Sequence, residues 1–335
     1  MITIGAHLVG SVPLPDAEAV FRAVSALGAD LRRLPDGETG VRKDWIAWQY
    51  AVLVATPGLE PIPVGNRHYL RRQMVHLIGE RVAPRFGSLG YADAALASFA
   101  IFDRLQRSGV IAEGARFQVS LPTPLAPLTV FVDLDDRAIV EPSYEAQIHA
   151  ELRRIVDGIP HDRLAIQWDV AVEVGLVEGV WPAHFSDVEA GALDRLVRLG
   201  AAVPPDVELG YHLCYGDFGH RHFTTPTDAS TLVRFANALA ARPRRLDWIH
   251  MPVPIGWATA AAFAPLAELT VVATTDLYLG VIHLADGLDG ALRRIALTRS
   301  VVPRFGIATE CGWGRRPTES VQPLLELHRA ALRAM

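Results

Sequence analysis

A short stretch in the second half of the chain concentrates side chains that can hold a metal ion. It reads GYHLCYGDFGHRHF, from Gly210 to Phe223, and carries His212 and Cys214 two positions apart. The preceding PPDVEL has the apolar character of a buried strand. Alternate residues of a strand point to the same side. His212 and Cys214 are therefore expected to converge, and zinc accepts both imidazole nitrogen and thiolate sulfur as ligands.

Two distant residues extend this pair into a candidate zinc site. Cys311 is the other of the chain's two cysteines and follows the run RFGIAT, whereas His250 ends the run LDWIHM. One histidine and two cysteines suit tetrahedral Zn²⁺. An exchangeable fourth ligand would make the site catalytic, whereas His250 as a fourth protein ligand would make it closed and structural. Packing is the alternative for each residue alone, because a lone buried cysteine commonly acts as a small apolar group.

Four other polar residues follow the candidate ligands in the same stretch. Tyr215 and Asp217 are expected to act in catalysis, by orienting the ligands or moving a proton. His222 is expected to be a loop residue, as is His220.

Eight short apolar runs, alternating with amphipathic segments, would position these residues. This order predicts parallel strands joined by helices, and eight such units predict a (β/α)₈ TIM barrel. A doubly wound open sheet is the alternative, although the chain lacks both common phosphate loops, GxGxxG and GxxxxGK[ST]. Residues 1–335 show no linker and are expected to form one domain. The runs are ITIGAHLV, ADLRRL, ARFQVSL, RLAIQWDV, DVELGYHL, LDWIHM, LTVVATTDLYL and RFGIAT.

The ends of these runs carry more ionisable side chains than packing requires. In a barrel, the chemistry lies at the carboxyl ends of the strands. His7 ends the first run, and ionisable or metal-competent residues follow five others, in LPDGETG, QWDV, YHLCYGDF, IHMP and TECGWG. This ring of polar ends favours an enzyme site at the mouth of the barrel.

One insertion, after the second βα unit, interrupts the alternation. It covers residues 57–90, is rich in Pro and Arg, and has a predicted helix over NRHYLRRQMVHLIGERV. Long insertions of this kind commonly lie over the barrel mouth. Arg67, Arg71 and Arg72 would then suit an anionic substrate group, and a solvated helix face is the alternative.

Composition argues against several classes of partner. Lysine and arginine number 32 against 37 aspartates and glutamates, a net charge of −5, which disfavours nucleic acid and anionic membranes. Two cysteines do not make a disulfide framework. The start MITIGAHLVGSVPLP lacks the basic segment of a signal peptide. We expect a cytoplasmic protein; whether it forms a homo-oligomer is left open.

Five motifs together resemble one known family. HLVGSVPLP, DGETGVRKDW, IQWDVAVEVG, YHLCYGDF and ECGWGRR, from His7 to Arg315, are similar in order and spacing to the catalytic barrel of cobalamin-independent methionine synthase. They are most similar to its short single-barrel relatives, in a superfamily with uroporphyrinogen decarboxylase and zinc enzymes that alkylate coenzyme M. The resemblance implies zinc-dependent transfer of a methyl or alkyl group to a small thiol such as homocysteine, with the zinc-bound thiolate as nucleophile.

The same resemblance assigns the metal ligands residue by residue. It implies that His212, Cys214 and Cys311 bind Zn²⁺. The family's remaining ligand is a glutamate, and its position falls on or near His250. The fourth ligand is therefore left between His250, Glu310, and water or substrate.

The resemblance also assigns the substrate contacts, with two departures. It implies that Ser11, Glu38 and Asp169 bind the amino-acid substrate. The family's Asp-Glu-Pro is replaced by Asp169-Val170-Ala171, and the amino-terminal half that serves folate polyglutamate is absent. The donor is accordingly expected to be a corrinoid protein or a small molecule. Two alternatives are a superfamily lyase or decarboxylase acting on a small carboxylated substrate, and a non-enzymatic zinc scaffold.

Overall fold

Seven parallel strands form a curled sheet in the computed structural model, which describes residues 4–63, 73–217, 221–271 and 275–335. The strand order is β1-β4-β5-β6-β7-β8-β9, and an antiparallel pair, β2 and β3, stands apart. The α/β class and the parallel sheet are thus confirmed. The strands are β1 (Arg33–Pro35), β2 (Leu59–Pro61), β3 (Val75–Leu77), β4 (Arg116–Pro122), β5 (Leu164–Val170), β6 (Glu208–Leu213), β7 (Trp248–Pro252), β8 (Asp276–Ile282) and β9 (Gly306–Thr309).

Helices link successive strands of the sheet, as parallel pairing requires. Side-chain caps mark where two of these helices begin. Asp16 accepts a hydrogen bond from the Ala19 N–H, and Asp187 accepts one from the Ala190 N–H. The α-helices of the described ranges are α1 (Ala17–Val24), α2 (Gln49–Val54), α3 (Tyr91–Arg107), α4 (Leu125–Phe131), α5 (Leu134–Gly158), α6 (Val172–Val177), α7 (Val188–Ala201), α8 (Ser230–Ala240), α9 (Ala260–Phe263), α10 (Gly287–Arg299) and α11 (Val321–Ala334). None of the helices in these ranges has the length and apolarity that crossing a membrane would need.

The predicted first strand is present only as isolated bridges. Ala6 pairs in parallel with Leu31 on one side and with Ile307 on the other. Gly5 lies at a φ of 98°, outside the strand region, so a continuous ladder cannot run through it. In the described residues the sheet is therefore a curled half-barrel, and the bridged segment lies between its two edges.

The insertion differs from its prediction. Residues 75–77 form strand β3, which pairs with β2, rather than part of a helix. Val75 and Leu77 are buried and His76 is half-buried, the period of two that favours a strand. Arg67, Arg71 and Arg72 lie outside the described residues. The chain then enters α3, a 17-residue helix that the sequence reading missed.

Polar side chains fill part of the space inside the curled sheet. His7 Nε2 lies 2.8 Å from Gln167 Oε1, and Gln167 Nε2 donates to the Val9 carbonyl at 2.6 Å. Gln118 Nε2 donates to the carbonyls of Leu8 and Val9, both at 3.0 Å. These bonds tie the segment that bridges the two sheet edges to β4 and β5, and so fix the loop that follows it.

Candidate metal centre

The register of three neighbouring strands aligns polar side chains at the carboxyl edge of the sheet. Asp169 on β5 is opposite His212 on β6, and His212 is opposite His250 on β7. Cys214 follows β6 and Cys311 follows β9. The chain thus brings residues from distant parts of the sequence to one edge, as parallel strands do.

The structure brings His212, Cys214 and Cys311 together. One ligand atom from each lies within 4.8 Å of the others. Ligand atoms of a tetrahedral zinc site lie roughly 3.5–4 Å apart, given bonds of ~2.0–2.3 Å. His212 and Cys214 are 3% and 1% exposed. The site is therefore buried on the β6 side and needs only small movements to hold a zinc ion.

Hydrogen bonds fix which nitrogen of His212 faces the two thiols. The carbonyl of Thr309 can only accept, so His250 Nε2, at 3.0 Å, carries a proton and donates to it. Burial lowers the pKa of His250 to about 3, so this ring is neutral and its Nδ1 accepts. His212 Nδ1, 2.6 Å away, must therefore be the donor. His212 Nε2 is left with a lone pair.

That lone pair tests whether the site fits a metal. His212 Nε2 is buried and has no hydrogen-bond partner within the described residues. An unpaired buried polar atom is costly, and the tautomer is the one that a metal-binding histidine needs. Together with the two sulfur atoms, it gives the donor set that zinc prefers. The residues fit Zn²⁺.

The Cys214 thiol has a raised pKa because Cys311 lies beside it. The neighbouring Cys311 thiol, together with burial, raises the pKa of Cys214. The Gly216 N–H donates to Cys214 Sγ at 3.2 Å and partly opposes this shift. A divalent cation at the site would instead lower the pKa of Cys214, since coordination favours the thiolate.

Two predicted substrate contacts, Glu38 and Asp169, are acids close to this centre, with Asp169 buried and Glu38 half-buried. A Cβ on Gly10 would lie 2.1 Å from Glu38 Oε1, so a larger residue there would displace this carboxylate. Asp169 Oδ1 accepts from Gln167 Nε2 at 2.8 Å. Burial raises the pKa of both acids, and the Asp169 charge raises that of Glu38 further. A cation placed against them would favour ionisation of both.

The third predicted substrate contact, Ser11, ties loops together. Its Oγ accepts from the Gly314 N–H at 3.1 Å, and its carbonyl accepts from the Trp313 N–H at 2.6 Å. The loop after the bridged segment is thereby fixed to the loop after β9. Ser11 lies at the same edge of the sheet, with its hydroxyl engaged by the protein.

The two predicted catalytic residues have different surroundings. The Tyr215 hydroxyl donates to the Asp228 carbonyl at 3.1 Å, which holds the loop between β6 and α8. Asp217 Oδ2 accepts from Arg315 Nη2 at 2.8 Å, and its charge adds to the raised pKa of Cys214. Asp217 is therefore close to the Cys214 thiol.

Sequence reasoning named Glu310 as a possible fourth ligand but missed the imidazole of His283 beside it. Glu310 precedes Cys311, and its oxygens lie 3.3 Å from His222 Nε2 and 3.2 Å from His283 Nδ1. His283 Nε2 donates to the Val253 carbonyl at 2.8 Å. The predicted seventh strand, LTVVATTDLYL, ends at Leu279, whereas β8 runs from Asp276 to Ile282. A strand end drawn at Ile282 would have singled out His283; His220 lies outside the described residues.

Comparisons with known proteins bear on the fold. No protein-family model and no curated protein sequence matches this chain. Twelve solved chains match in structure. One is a Listeria monocytogenes protein provisionally named a vitamin-B12-independent methionine synthase, 14% identical, with a TM-score of 0.61 over 100% of this chain and 99% of that one. At this identity the likeness extends to the fold.

Glu173, in the first turn of α6, is a buried acid outside this group. It is 0% exposed, and neither carboxyl oxygen has a hydrogen-bond partner in the described ranges. Burial raises its pKa to about 7, with the Thr123 side chain partly opposing the shift. The neutral acid is therefore the stable form inside the folded protein at mildly acidic pH.

The variant E173Q is expected to gain stability over the wild type as the pH rises. The carboxyl has its ordinary pKa of about 4.5 in the unfolded chain and a pKa of about 7 in the folded protein. The stability due to this group is complete below the lower value and is lost as the pH rises through the higher one. The shift corresponds to about 3 kcal/mol. Urea unfolding at about pH 5 and about pH 8.5 should show a difference that grows by roughly this amount.

A second buried glutamate provides the matched control. Glu151 is 1% exposed, but its carboxylate accepts from the N–H groups of Leu89 at 2.8 Å and Ala92 at 2.7 Å. E151Q is expected to be less stable than the wild type, because an amide would turn a donor toward these donors. A stability gain for E173Q that is the same at both pH values would contradict the raised pKa.

Proposed function

We propose that this chain is a zinc-dependent methyl- or alkyltransferase acting on a small thiol. The observation that carries the proposal is the convergence of His212, Cys214 and Cys311, with the Nε2 lone pair of His212 buried and unpartnered in the described residues. A nitrogen and two sulfurs at the carboxyl edge of a parallel sheet suit a catalytic zinc site. The likeness to a provisionally named methionine synthase supports the same class of reaction.

The remaining coordination position is proposed for the substrate. His250 uses both ring nitrogens, on Thr309 and on His212, and Glu310 lies between two imidazoles. His250 is therefore proposed to position His212 and not to bind the metal, whereas Glu310, whose Oε1 has no hydrogen-bond partner in the described residues, is the alternative to the substrate at this position. Zinc, when bound, would lower the pKa of a coordinated thiol so that it is a nucleophile at neutral pH.

The other residues would orient the substrate and handle its proton. Glu38 and Asp169 would bind a substrate ammonium, because a cation favours the ionised form of both acids. The proton released by the thiol would pass to the Glu310 carboxylate, which lies 3.2 Å from His283 Nδ1. Ser11 would hold the loop after the bridged segment against the loop after β9. Tyr215 would hold the loop between β6 and α8.

The proposal extends to the fold, the partners and the setting. Residues 1–335 are taken as one domain, a (β/α)₈ barrel whose first strand is the segment bridged at Ala6. Its partners would be a small thiol and a methyl or alkyl donor, from a corrinoid protein or a small molecule, in the reducing cytoplasm. The lyase alternative was based on the altered strand end Asp169-Val170-Ala171 and on the insertion with Arg67, Arg71 and Arg72, which lie outside the described residues; we do not propose it.

Metal analysis combined with a transfer assay tests this function. Protein loaded with Zn²⁺ under reducing conditions and freed of excess metal is expected to retain about one zinc per chain. Mass spectrometry should detect zinc-dependent methylation of homocysteine with methylcobalamin as donor. Retained zinc whose X-ray absorption spectrum is unchanged by added thiol would instead indicate a closed, structural site.

Replacing His250 tests its positioning role. H250F is expected to bind zinc about 10–100-fold more weakly, the usual loss when a residue that orients a metal ligand is removed. H250Q should recover much of the affinity, because a carboxamide can accept from His212 Nδ1 and donate to the Thr309 carbonyl. Competition with a chromophoric chelator measures both. If H250F and H250Q lose zinc to the same extent, the hydrogen-bond pair is not what positions His212.

A further inference from the structure

Arg315, in the loop after β9, is a cation beside the candidate metal centre whose hydrogen-bonding capacity is largely unused. Its Nη2 donates to Asp217 Oδ2 at 2.8 Å. Its Nη1 lies 3.9 Å from Asp44 Oδ1, beyond hydrogen-bond length. Its Nε is buried and has no partner in the described ranges. The side chain is 21% exposed although Nε is covered, so a ligand can approach the terminal Nη groups.

The surroundings of Arg315 place it within the site. Cys311 and Asp217 favour its charged form and raise its pKa against the opposing effect of burial. Arg315 in turn lowers the pKa of Glu38. The Arg315 guanidinium is thus close enough to Cys311 and to Glu38 for their charges to interact.

Asp217 anchors one end of this guanidinium. Its carboxylate is 9% exposed and accepts from Arg315 Nη2. A planar guanidinium held in this way presents its other N–H groups as a rigid fork, which matches a carboxylate. An ion pair that served packing alone would not need a buried Nε without a partner.

We infer that Arg315 binds the carboxylate of the thiol substrate, with Asp217 as the residue that positions it. This inference depends on the proposed function, since the substrate's sulfur is placed at the metal centre. Glu38 and Asp169 take an ammonium, Arg315 takes a carboxylate, and the thiol lies at the two cysteines. The two charged ends of the amino-acid thiol that the resemblance implies would then be recognised by side chains of opposite charge.

A competing role for Arg315 is to balance the negative charge of the thiolates. Balancing charge would help every thiol equally, whereas recognising a carboxylate would help only thiols that have one. Two probes of equal chain length separate the roles: 3-mercaptopropionate and 3-mercapto-1-propanol. Binding of either to Co²⁺-substituted protein is followed by the sulfur-to-cobalt absorption band.

R315Q is expected to raise the Kd of 3-mercaptopropionate at least about tenfold, because hydrogen bonds to charged groups contribute about 1.5–3 kcal/mol and 1.4 kcal/mol is a factor of ten. The Kd of 3-mercapto-1-propanol should stay within about twofold. R315K, which keeps the charge but not the fork, should fall between wild type and R315Q for the carboxylate probe. R316Q, at the neighbouring arginine, should leave both Kd values unchanged. Equal weakening of both probes by R315Q, or no change in either, would overturn the inference.

A third probe distinguishes this inference from the proposed function. 3-(Methylthio)propionate has the carboxylate but no thiol, and calorimetry measures its binding to wild type and R315Q. If neither thiol produces a cobalt band but this thioether binds in an Arg315-dependent manner, the thiol chemistry fails and carboxylate binding at Arg315 stands. If the cobalt bands form while no probe depends on Arg315, the transferase proposal stands and the inference fails.

Discussion

C214S and C311S are each expected to lose stoichiometric zinc and thiol transfer together. A full set of four zinc ligands supplies about 10–16 kcal/mol. Removing one sulfur therefore costs roughly 3 kcal/mol or more, a loss of at least ~100-fold in zinc affinity. Transfer should fall below detection, because the hydroxyl of serine neither ionises readily nor matches zinc as thiolate sulfur does.

Zinc content by elemental analysis and affinity by chelator competition measure these losses. H149A is the control, since His149 lies on α5 against Glu145, at 3.6 Å, away from the sheet edge. This variant should retain wild-type zinc content. Unfolding curves of each cysteine variant establish that the chain is folded. Full zinc content in a folded C214S or C311S would exclude that residue as a ligand.

Replacing the acid pair is expected to remove a preference for thiols that carry an amine. E38Q and D169N should lower kcat/KM for 2-aminoethanethiol by a factor of roughly 10²–10³, because taking one partner from a buried charge pair costs about 3–5 kcal/mol. The value for 2-mercaptoethanol should change little. Burial raises the pKa of both acids in the free site, so binding an ammonium there should also release a proton.

Proton release supplies a second readout for this prediction. Wild-type affinity for 2-aminoethanethiol should rise with pH until the acids ionise without the ligand, and E38Q should flatten that rise. E173Q, which changes a buried acid outside the pair, should keep the wild-type preference for the aminated thiol. If E38Q and D169N slow both thiols equally, the pair stabilises the site and does not recognise an ammonium.

Local patterns in the sequence were sufficient for the class of fold and for part of the site. Strand alternation placed His212 and Cys214 on one side, and the strand-end rule brought in Cys311. Both predictions depend on the geometry of a single strand and on the common edge of parallel strands, and neither requires knowledge of the packing. The alternation of apolar and amphipathic runs indicated parallel strands in the same way.

Boundaries were less predictable, because they depend on contacts between strands. β8 continues through Gly280, where a Cβ would come within 2.7 Å of Glu310 Cα. Glycine is therefore a requirement of close packing there and not the end of a strand. The bridges at Ala6 and the hairpin strand β3 likewise depend on which backbone lies alongside.

The amino-acid sequence by itself determined which side chains reach the carboxyl edge of the sheet, while the tertiary structure decided what each does there. His250 is 38 residues from His212 and 59 from Thr309, and only the register of three strands makes it an orienting residue and leaves the His212 lone pair free. Arg315 meets Asp217 across 98 residues, and Glu310 meets His283 in the same way. Residue type and strand period are local properties, whereas hydrogen-bond direction, tautomer and charge pairing are set through space.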